Sequence, residues 1–150
     1  MPHLESPYIP MPSSAKDDSY GIIPKAEELT LVKSLGTSKF SVFVAQSNDT
    51  NSNFAIKLFQ FSGPKLNPYY CNEKRFAEIS HKNIITMVDT VDKTEIVINQ
   101  NIIRGSYILY EYAPLGNFHD IIYQEKLKFD EKLARTFFHH LISGLSYLHQ

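Results

Sequence analysis

The chain has 150 residues, 43% of them hydrophobic, and a formal net charge of −1. It is long enough for one modest domain with a core, and its near-neutral charge argues against nucleic acid or an anionic membrane as a partner. The single cysteine, Cys71, excludes an internal disulfide and favours a reducing compartment. No apolar run approaches the length of a membrane span, and MPHLESPYIP has no signal-peptide pattern. These features predict a soluble, cytoplasmic protein.

The first third of the chain predicts a tail followed by strands. Residues 1–28 are rich in Pro, Ser and charge, which predicts a mostly disordered tail. The runs LTLVKSLG, KFSVFVAQ and NFAIKLF that follow are rich in β-branched and aromatic residues, and the polar turn SNDTNSN separates the last two. They predict an antiparallel meander of three strands.

A helix is predicted next, from about Pro68 to Ser80. Tyr69, Phe76 and Ile79 recur at spacings of seven and three, so they are expected to form its apolar face. NIITMVDTV and YILYEY predict two further strands, whereas DKTEIVINQNIIRGS between them receives no assignment.

Two helices are predicted after the strands. NFHDIIYQEKL indicates a short one, and FDEKLARTFFHHLISGLSYLHQ a long amphipathic one. The apolar stripe of the long helix is expected to contain Leu133, Phe137, Leu141, Leu145 and Leu148. The order of elements predicts an α+β fold with a mainly antiparallel sheet.

Lys57 raises the first chemical question, because it lies in the middle of the apolar run NFAIKLF. A buried ammonium without a partner is costly, so Lys57 needs water, a carboxylate or an anionic ligand. Glu73, on the predicted helix, is a possible carboxylate partner, although it also fits an ordinary solvated charge. Ala55 is expected on the same face as Lys57, which leaves room there for a flat ligand.

Two other segments allow a ligand-binding and an ordinary interpretation. LGTSKFSVFVA places a glycine and small hydroxyl residues at a turn between strands, where backbone N–H groups can face phosphates. YILYEYAPLGNF joins a buried strand to a helix through a Pro/Gly segment, which suits a hinge whose free backbone groups hold a flat heterocycle. An ordinary β-hairpin and an ordinary strand-to-helix loop remain the alternatives.

The order of these motifs resembles the small lobe of eukaryotic protein kinases. The glycine hairpin, the A-I-K strand, the N-E-K-R helix, the Y-E-Y hinge and the final YLH follow one another as in that family, from about residue 29 to the last residue. The resemblance implies a kinase-like small lobe, with a five-stranded antiparallel sheet and one αC-type helix. A hinge and two helices of a truncated large lobe would follow, so that residues 29–150 form an incomplete protein kinase domain.

The resemblance also implies an ATP site. Lys57 would pair with the α- and β-phosphates, and Glu73 would be its partner on the helix. Ser38 and Ser41 stand where the second and third glycines of the phosphate loop are usual, which implies a looser approach to phosphate. The positions implied to contact the nucleotide are Leu35, Gly36, Ser38, Phe40, Ser41, Val42, Ala55, Lys57, Tyr110, Glu111, Ala113 and Asn117.

The roles around the nucleotide follow from the same resemblance. Ala55 would lie above adenine and Tyr110 at the gatekeeper position. Glu111 and Ala113 would offer a backbone C=O and N–H to adenine, and Asn117 would contact the ribose. Phe40 resembles the aromatic residue at the loop tip.

The residue that caps adenine is ambiguous. Counting forward from Gly36 gives Phe43, whereas counting back from Lys57 gives Val42. Val42 is preferred, because strand alternation then also turns Val44 inward.

One departure from the family pattern limits the functional interpretation. The H-R-D-x-x-x-x-N, D-F-G and A-P-E motifs do not occur in these 150 residues. The chain is therefore expected to be an inactive N-terminal fragment of a kinase that transfers phosphate from ATP to protein Ser/Thr. The Mg²⁺ ligands are expected only in the missing C-terminal part, and no metal site is expected here.

The alternative is a non-catalytic, pseudokinase-like regulatory or interaction module. In either case the missing large lobe or a partner is expected to cover the helix over 130–149.

Overall fold

The computed structural model describes residues 21–22, 29–37, 39–61, 63–124 and 127–150. Strands within these ranges are β1 (Gly21–Ile22), β2 (Leu29–Thr37), β3 (Ser41–Ser47), β4 (Asn53–Gln60), β5 (Met87–Ile98) and β6 (Asn101–Glu111). The helices are α1 (Pro68–Lys74), α2 (Phe118–Tyr123) and α3 (Glu131–Leu148).

The strands form one antiparallel sheet in the order β1-β2-β3-β4-β6-β5. The predicted five-stranded sheet with one helix beside it is confirmed as β2–β6 and α1. The short strand β1 was not predicted, and it pairs with both β2 and β5, so that the sheet closes on itself. β1 lies within the predicted tail of residues 1–28; the rest of that tail lies outside the described residues.

The segment without an assignment, DKTEIVINQNIIRGS, is the half of a long β5–β6 hairpin that contains the turn. Asn99 and Gln100 form its two-residue turn, both at positive φ, +50° and +65°. Two consecutive left-handed residues match the right-handed twist of the flanking strands. The hairpin is therefore much longer than the two short strands predicted there.

The two faces of the sheet carry two apolar clusters. The interior cluster, enclosed by the closed sheet, is built from Leu29, Leu31, Phe43, Ala45, Ile56, Leu58, Ile96, Ile98, Tyr107 and Leu109. The outer cluster contains Phe59, Tyr70 and Ile108, against which Phe40, Leu66, Met87 and Tyr110 pack. Strand β4 contributes Ile56 and Leu58 to the first and Phe59 to the second, as alternation along a strand requires.

Helix α1 is shorter than the predicted 68–80 and buries a different side chain. Asn67 caps it, accepting from Tyr69 N at 3.0 Å, and Pro68 follows at the first helical position. It ends because the N–H groups of Phe76 and Ala77 bond to carbonyls three residues back, which tightens the chain into turns. The predicted apolar face is wrong, since Tyr69 and Phe76 are exposed and Tyr70 is fully buried.

The chain divides into two compact units. The first carries the closed sheet and α1, and the second comprises Ile79–Thr86 and Ala113–Gln150. Among the described residues no helix has both the length and the apolar character that a membrane span requires.

In the second unit, α3 begins at the N-cap Asp130, whose carboxylate accepts from Leu133 N at 2.8 Å. Gly144 is the buried residue of this helix, and a Cβ there would come within 3.2 Å of the Asn83 carbonyl oxygen. Of the predicted stripe, Leu133 and Phe137 are half-buried, whereas the three leucines nearer the C-terminus are exposed.

Candidate functional site

The partner of Lys57 is Glu73. The ammonium Nζ lies 2.7 Å from Glu73 Oε2 and 3.0 Å from Oε1, so both carboxylate oxygens face it. The two side chains keep 25% and 30% of their surface exposed, which makes this a partly buried ion pair. Of the three partners that the sequence left open for Lys57, the structure thus supplies the carboxylate.

Helix α1 brings Glu73 to this position because Tyr70 anchors the helix on the sheet. Tyr70 is fully buried in the outer cluster, and its ring meets Phe59 edge-on at a centroid distance of 5.6 Å. Residues three apart on a helix share a face, so Glu73 points towards the same sheet surface as Tyr70. On that surface β4 presents Lys57.

A second anchor ties α1 to β5. The hydroxyl of Tyr70 donates to Asp92 Oδ1 at 2.6 Å, and Lys74 forms an ion pair with the same carboxylate. Two hydrogen bonds lower the pKa of Asp92: the larger effect comes from Lys74 and the next largest from Tyr70. Burial raises the pKa of Tyr70, and its hydrogen bond to Asp92 adds to this effect.

Tyr110 makes a contact with Glu73 that sequence reasoning missed. Its hydroxyl donates to Glu73 Oε1, the oxygen that also faces the ammonium at 3.0 Å. Burial, and then the hydrogen bond to Glu73, raise the pKa of Tyr110, so this hydroxyl stays protonated. No local sequence pattern signals the bond, because it joins residues 37 positions apart.

Four of the predicted nucleotide positions share one face of the sheet. Val42 pairs with Lys57 across β3 and β4, and Ala55 pairs with Tyr110 across β4 and β6. Directly paired residues project to the same side. Phe43 instead lies fully buried in the interior cluster, so of the two candidates for the adenine cap Val42 is the one on the Lys57 face.

The loop positions lie around the start of β3. A register shift leaves Leu35 as the extra residue of β2, half-exposed, and Gly36 pairs with Val42. A Cβ built on Gly36 meets nothing within 4 Å, so its surroundings are open. Ser41 is buried, and alternation places it on the side of Phe43, away from Lys57. Ser38 lies outside the described residues.

Phe40 lies beside the Lys57 ammonium. Its ring centroid is 4.9 Å from that of Phe59 and 5.5 Å from that of Tyr69, and Lys57 Nζ lies 5.1 Å from it. The predicted tip aromatic therefore contacts both β4 and α1, and its ring approaches the ammonium within the range of a cation–π interaction.

The remaining predicted positions follow β6. Glu111 is its exposed last residue, and Ala113 and Asn117 belong to the second unit. Asn117 is the N-cap of α2, where its side-chain oxygen accepts from Asp120 N at 2.8 Å. This cap is predictable from the run Asn117-Phe-His-Asp120, in which a capping residue is followed three positions later by an acidic residue.

The arrangement on the first unit suits an anionic ligand with a flat apolar part. Lys57 supplies the positive charge, Val42 and Ala55 supply apolar surface on the same side of the sheet, and Gly36 leaves open space. Among the residues that the structure describes, no three His, Cys, Asp or Glu side chains come together in a metal-binding group.

Comparison with known proteins agrees with this arrangement. Residues 29–150 match the model of the protein kinase domain. The chain is also similar to a protein of Dictyostelium discoideum named probable serine/threonine-protein kinase MARK-C, with 30% identity over 141 residues. That alignment covers 85% of this chain but 17% of the relative, so the chain spans about a sixth of the relative's length.

Proposed function

The chain belongs to the protein kinase family, and on that premise we propose that residues 29–150 bind ATP for phosphoryl transfer to protein serine or threonine. The observation that carries the proposal is the Lys57–Glu73 ion pair, 2.7 Å long, on the sheet face that also holds Val42 and Ala55. The name of the Dictyostelium relative supports serine or threonine as the residue that receives the phosphate.

The role proposed for Lys57 is electrostatic. Phosphoryl transfer depends mainly on positioning and on stabilising charge, and a fixed ammonium serves both for the α- and β-phosphates. Glu73 keeps the ammonium in place through both of its carboxylate oxygens. In this family Mg²⁺ neutralises phosphate charge, and the proposal assigns none of its ligands, nor the catalytic base, to residues 1–150.

The adenine and ribose contacts complete the proposal. Val42 and Ala55 offer the apolar surface, and the family resemblance adds Glu111, Ala113 and Asn117 as proposed contacts. Leu35, Gly36, Ser38 and Phe40 are proposed to surround the phosphates, with Tyr110 as gatekeeper. Ser41 is proposed to contribute through its backbone, because its side chain lies on the side of Phe43. The single, exposed thiol of Cys71 supports a cytoplasmic location as part of the same proposal.

The first test measures nucleotide binding by the 150-residue chain with fluorescent N-methylanthraniloyl-ATP. The wild-type chain is expected to bind, and Lys57→Met to weaken binding at least about tenfold, as loss of a charge-assisted contact implies. The control is Lys93→Met, because Lys93 is an exposed lysine of β5 that bonds to the Pro64 carbonyl, not to Glu73. Equal binding by wild type and Lys57→Met overturns the role of Lys57.

A non-catalytic interaction module is the second candidate. The exposed leucines of α3 favour it, since Leu141 keeps 65% and Leu145 44% of its surface exposed. Apolar side chains clustered on one exposed helix face often mark an interaction surface. Lack of ATP binding by the wild-type chain would favour this candidate over the first.

A further inference from the structure

We propose that Tyr110 is a positioning residue of the nucleotide site, whose hydroxyl holds the Glu73 carboxylate against the Lys57 ammonium. The inference rests on the proposed function, because the position of the ammonium matters for a phosphate ligand. It assigns to the Tyr110 hydroxyl a task separate from that of its ring, which packs against the outer cluster.

The bonding pattern of Glu73 is the first step of the argument. Its Oε2 faces Lys57 Nζ at 2.7 Å, and its Oε1 accepts from both Lys57 and the Tyr110 hydroxyl. The carboxylate is therefore held from two directions, by β4 through the lysine and by β6 through the tyrosine. With either donor alone, the carboxylate would be held from one strand only.

The stiffness of the three side chains is the second step. Lys57 and Glu73 are long, rotatable chains that retain 25% and 30% exposure, so a pair between them is costly in entropy to hold in one geometry. Tyr110 has two side-chain torsions, and its backbone is paired with Ala55 on one side and Met87 on the other. The tyrosine is thus the rigid member that fixes the direction of the pair.

The hydroxyl also needs this acceptor. It is a partly buried donor, and leaving such a group without a hydrogen bond is unfavourable. Glu73 satisfies it, so the contact stabilises both the tyrosine and the carboxylate. A phenylalanine keeps the ring packing and removes this contact alone.

Helix α1 has a separate anchor, so the effect of removing the Tyr110 hydroxyl can be measured without undocking the helix. Tyr70 is fully buried and bonds to Asp92 at 2.6 Å, with Lys74 on the same carboxylate. Removing the Tyr110 hydroxyl is therefore expected to leave the helix docked while the Glu73 carboxylate loses its fixed direction.

A measurement without nucleotide addresses the pair itself. In side-chain ¹⁵N relaxation spectra of the lysine-labelled chain, the Lys57 ammonium signal is assigned by its loss in Lys57→Arg. Its order parameter is expected to fall in Tyr110→Phe towards that of the exposed Lys132. The matched control is Tyr107→Phe, which removes a hydroxyl from the same strand but on the interior-cluster side, and it is expected to leave the signal unchanged.

A second measurement adds the ligand. N-methylanthraniloyl-ATP is expected to bind Tyr110→Phe about tenfold more weakly than wild type, the lower end of what a hydrogen bond to a charged group contributes. N-methylanthraniloyl-adenosine, which has no phosphates, is expected to bind both equally. Circular dichroism confirms that each variant is folded.

The outcomes separate the inference from the function. Suppose that the wild-type chain binds the ATP probe. The inference is then overturned, and the function stands, if Tyr110→Phe leaves either the Lys57 order parameter or the affinity for the ATP probe unchanged. Equal weakening of both probes also overturns it, because the hydroxyl then shapes the pocket instead of the phosphate contact. If the wild-type chain binds no ATP probe, the proposed function and this nucleotide role fall together, and the lysine spectra still decide whether Tyr110 orders the pair.

Discussion

Lys57 is compatible with an apolar strand because a second element supplies its countercharge. Only Glu73, on α1, comes within ion-pair distance of the ammonium among the described residues, at 2.7 Å. Removing either partner leaves a partly buried charge without compensation, which is more costly than removing both. The pair therefore links the chemistry of one residue to the docking of a helix.

A single glycine shows how closely two strands approach. A Cβ on Gly105 would lie 2.8 Å from the backbone oxygen of Phe59, an atom that cannot move without distorting β4. We expect Gly105→Ala to lower the free energy of unfolding by about 1–3 kcal/mol, as overpacking does elsewhere. Urea unfolding followed by circular dichroism measures it.

The control for that substitution is Gly63→Ala, because a Cβ there meets nothing within 4 Å. Its effect is expected to stay within about 0.5 kcal/mol. An unchanged urea midpoint in Gly105→Ala would contradict the close approach of the two strands.

Among the elements, α1 depends most on tertiary contacts. It has seven residues, too few to be stable by itself, and two carboxylate contacts tie it to the sheet: Glu73 to Lys57 and Tyr110, and Asp92 to Tyr70 and Lys74. Both tyrosine hydroxyls donate to a carboxylate, and burial raises the pKa of each phenol. The helix is thus held by polar contacts at the rim of an apolar cluster.

The Asp92 contact predicts a pH dependence of stability. Because the folded state lowers the pKa of Asp92, its contribution is present above the unfolded pKa of about 4 and is lost as pH falls below it. We expect Asp92→Asn to lower the free energy of unfolding by about 0.5–1 kcal/mol at pH 7, a small value because this carboxylate is half-exposed. The difference from wild type should shrink as pH falls below 4.

Urea unfolding at several pH values measures this difference. The control is Glu95→Gln, since Glu95 and Arg104 form an exposed pair at 3.7 Å; its effect is expected to be near zero at every pH. A difference between Asp92→Asn and wild type that stays constant from pH 7 to pH 3 would show that the carboxylate charge does not hold α1.

The molecule as a whole consists of two units with different amounts of buried apolar surface. The first contains two apolar clusters, whereas the long helix of the second buries a single residue, Gly144. Local stability follows the burial of apolar contacts. The two units are therefore expected to open at different free energies.

Native-state hydrogen exchange followed by mass spectrometry tests this expectation. Amides of β4 and β6, which are paired on both sides, should exchange slowest, and those of α3 should exchange at least about tenfold faster. Equal protection of α3 and β4 would contradict the prediction.

Strand positions and the family were predictable from local patterns, because alternation of apolar residues and short motifs are properties of neighbouring residues. The strand around Lys57, the long helix α3 and the resemblance to protein kinases are confirmed on this basis. The β5–β6 hairpin was missed because its turn, Asn99-Gln100, lacks glycine, the usual residue for two positive φ angles. The predicted buried face of α1 is wrong because the buried residue is Tyr70, whose hydroxyl bonds to Asp92, a partner 22 positions along the chain that local periodicity does not reveal.

The sequence by itself thus determined the order of the elements, the position of the lysine on its strand and the family to which the chain belongs. Only the tertiary structure decided that β1 closes the sheet, that Glu73 meets Lys57, and that Tyr110 bonds to the same carboxylate. The physical reason is distance along the chain. Local periodicity reports which face a residue occupies, but contacts between residues 16 and 37 positions apart depend on strand register and helix docking, which the whole fold sets.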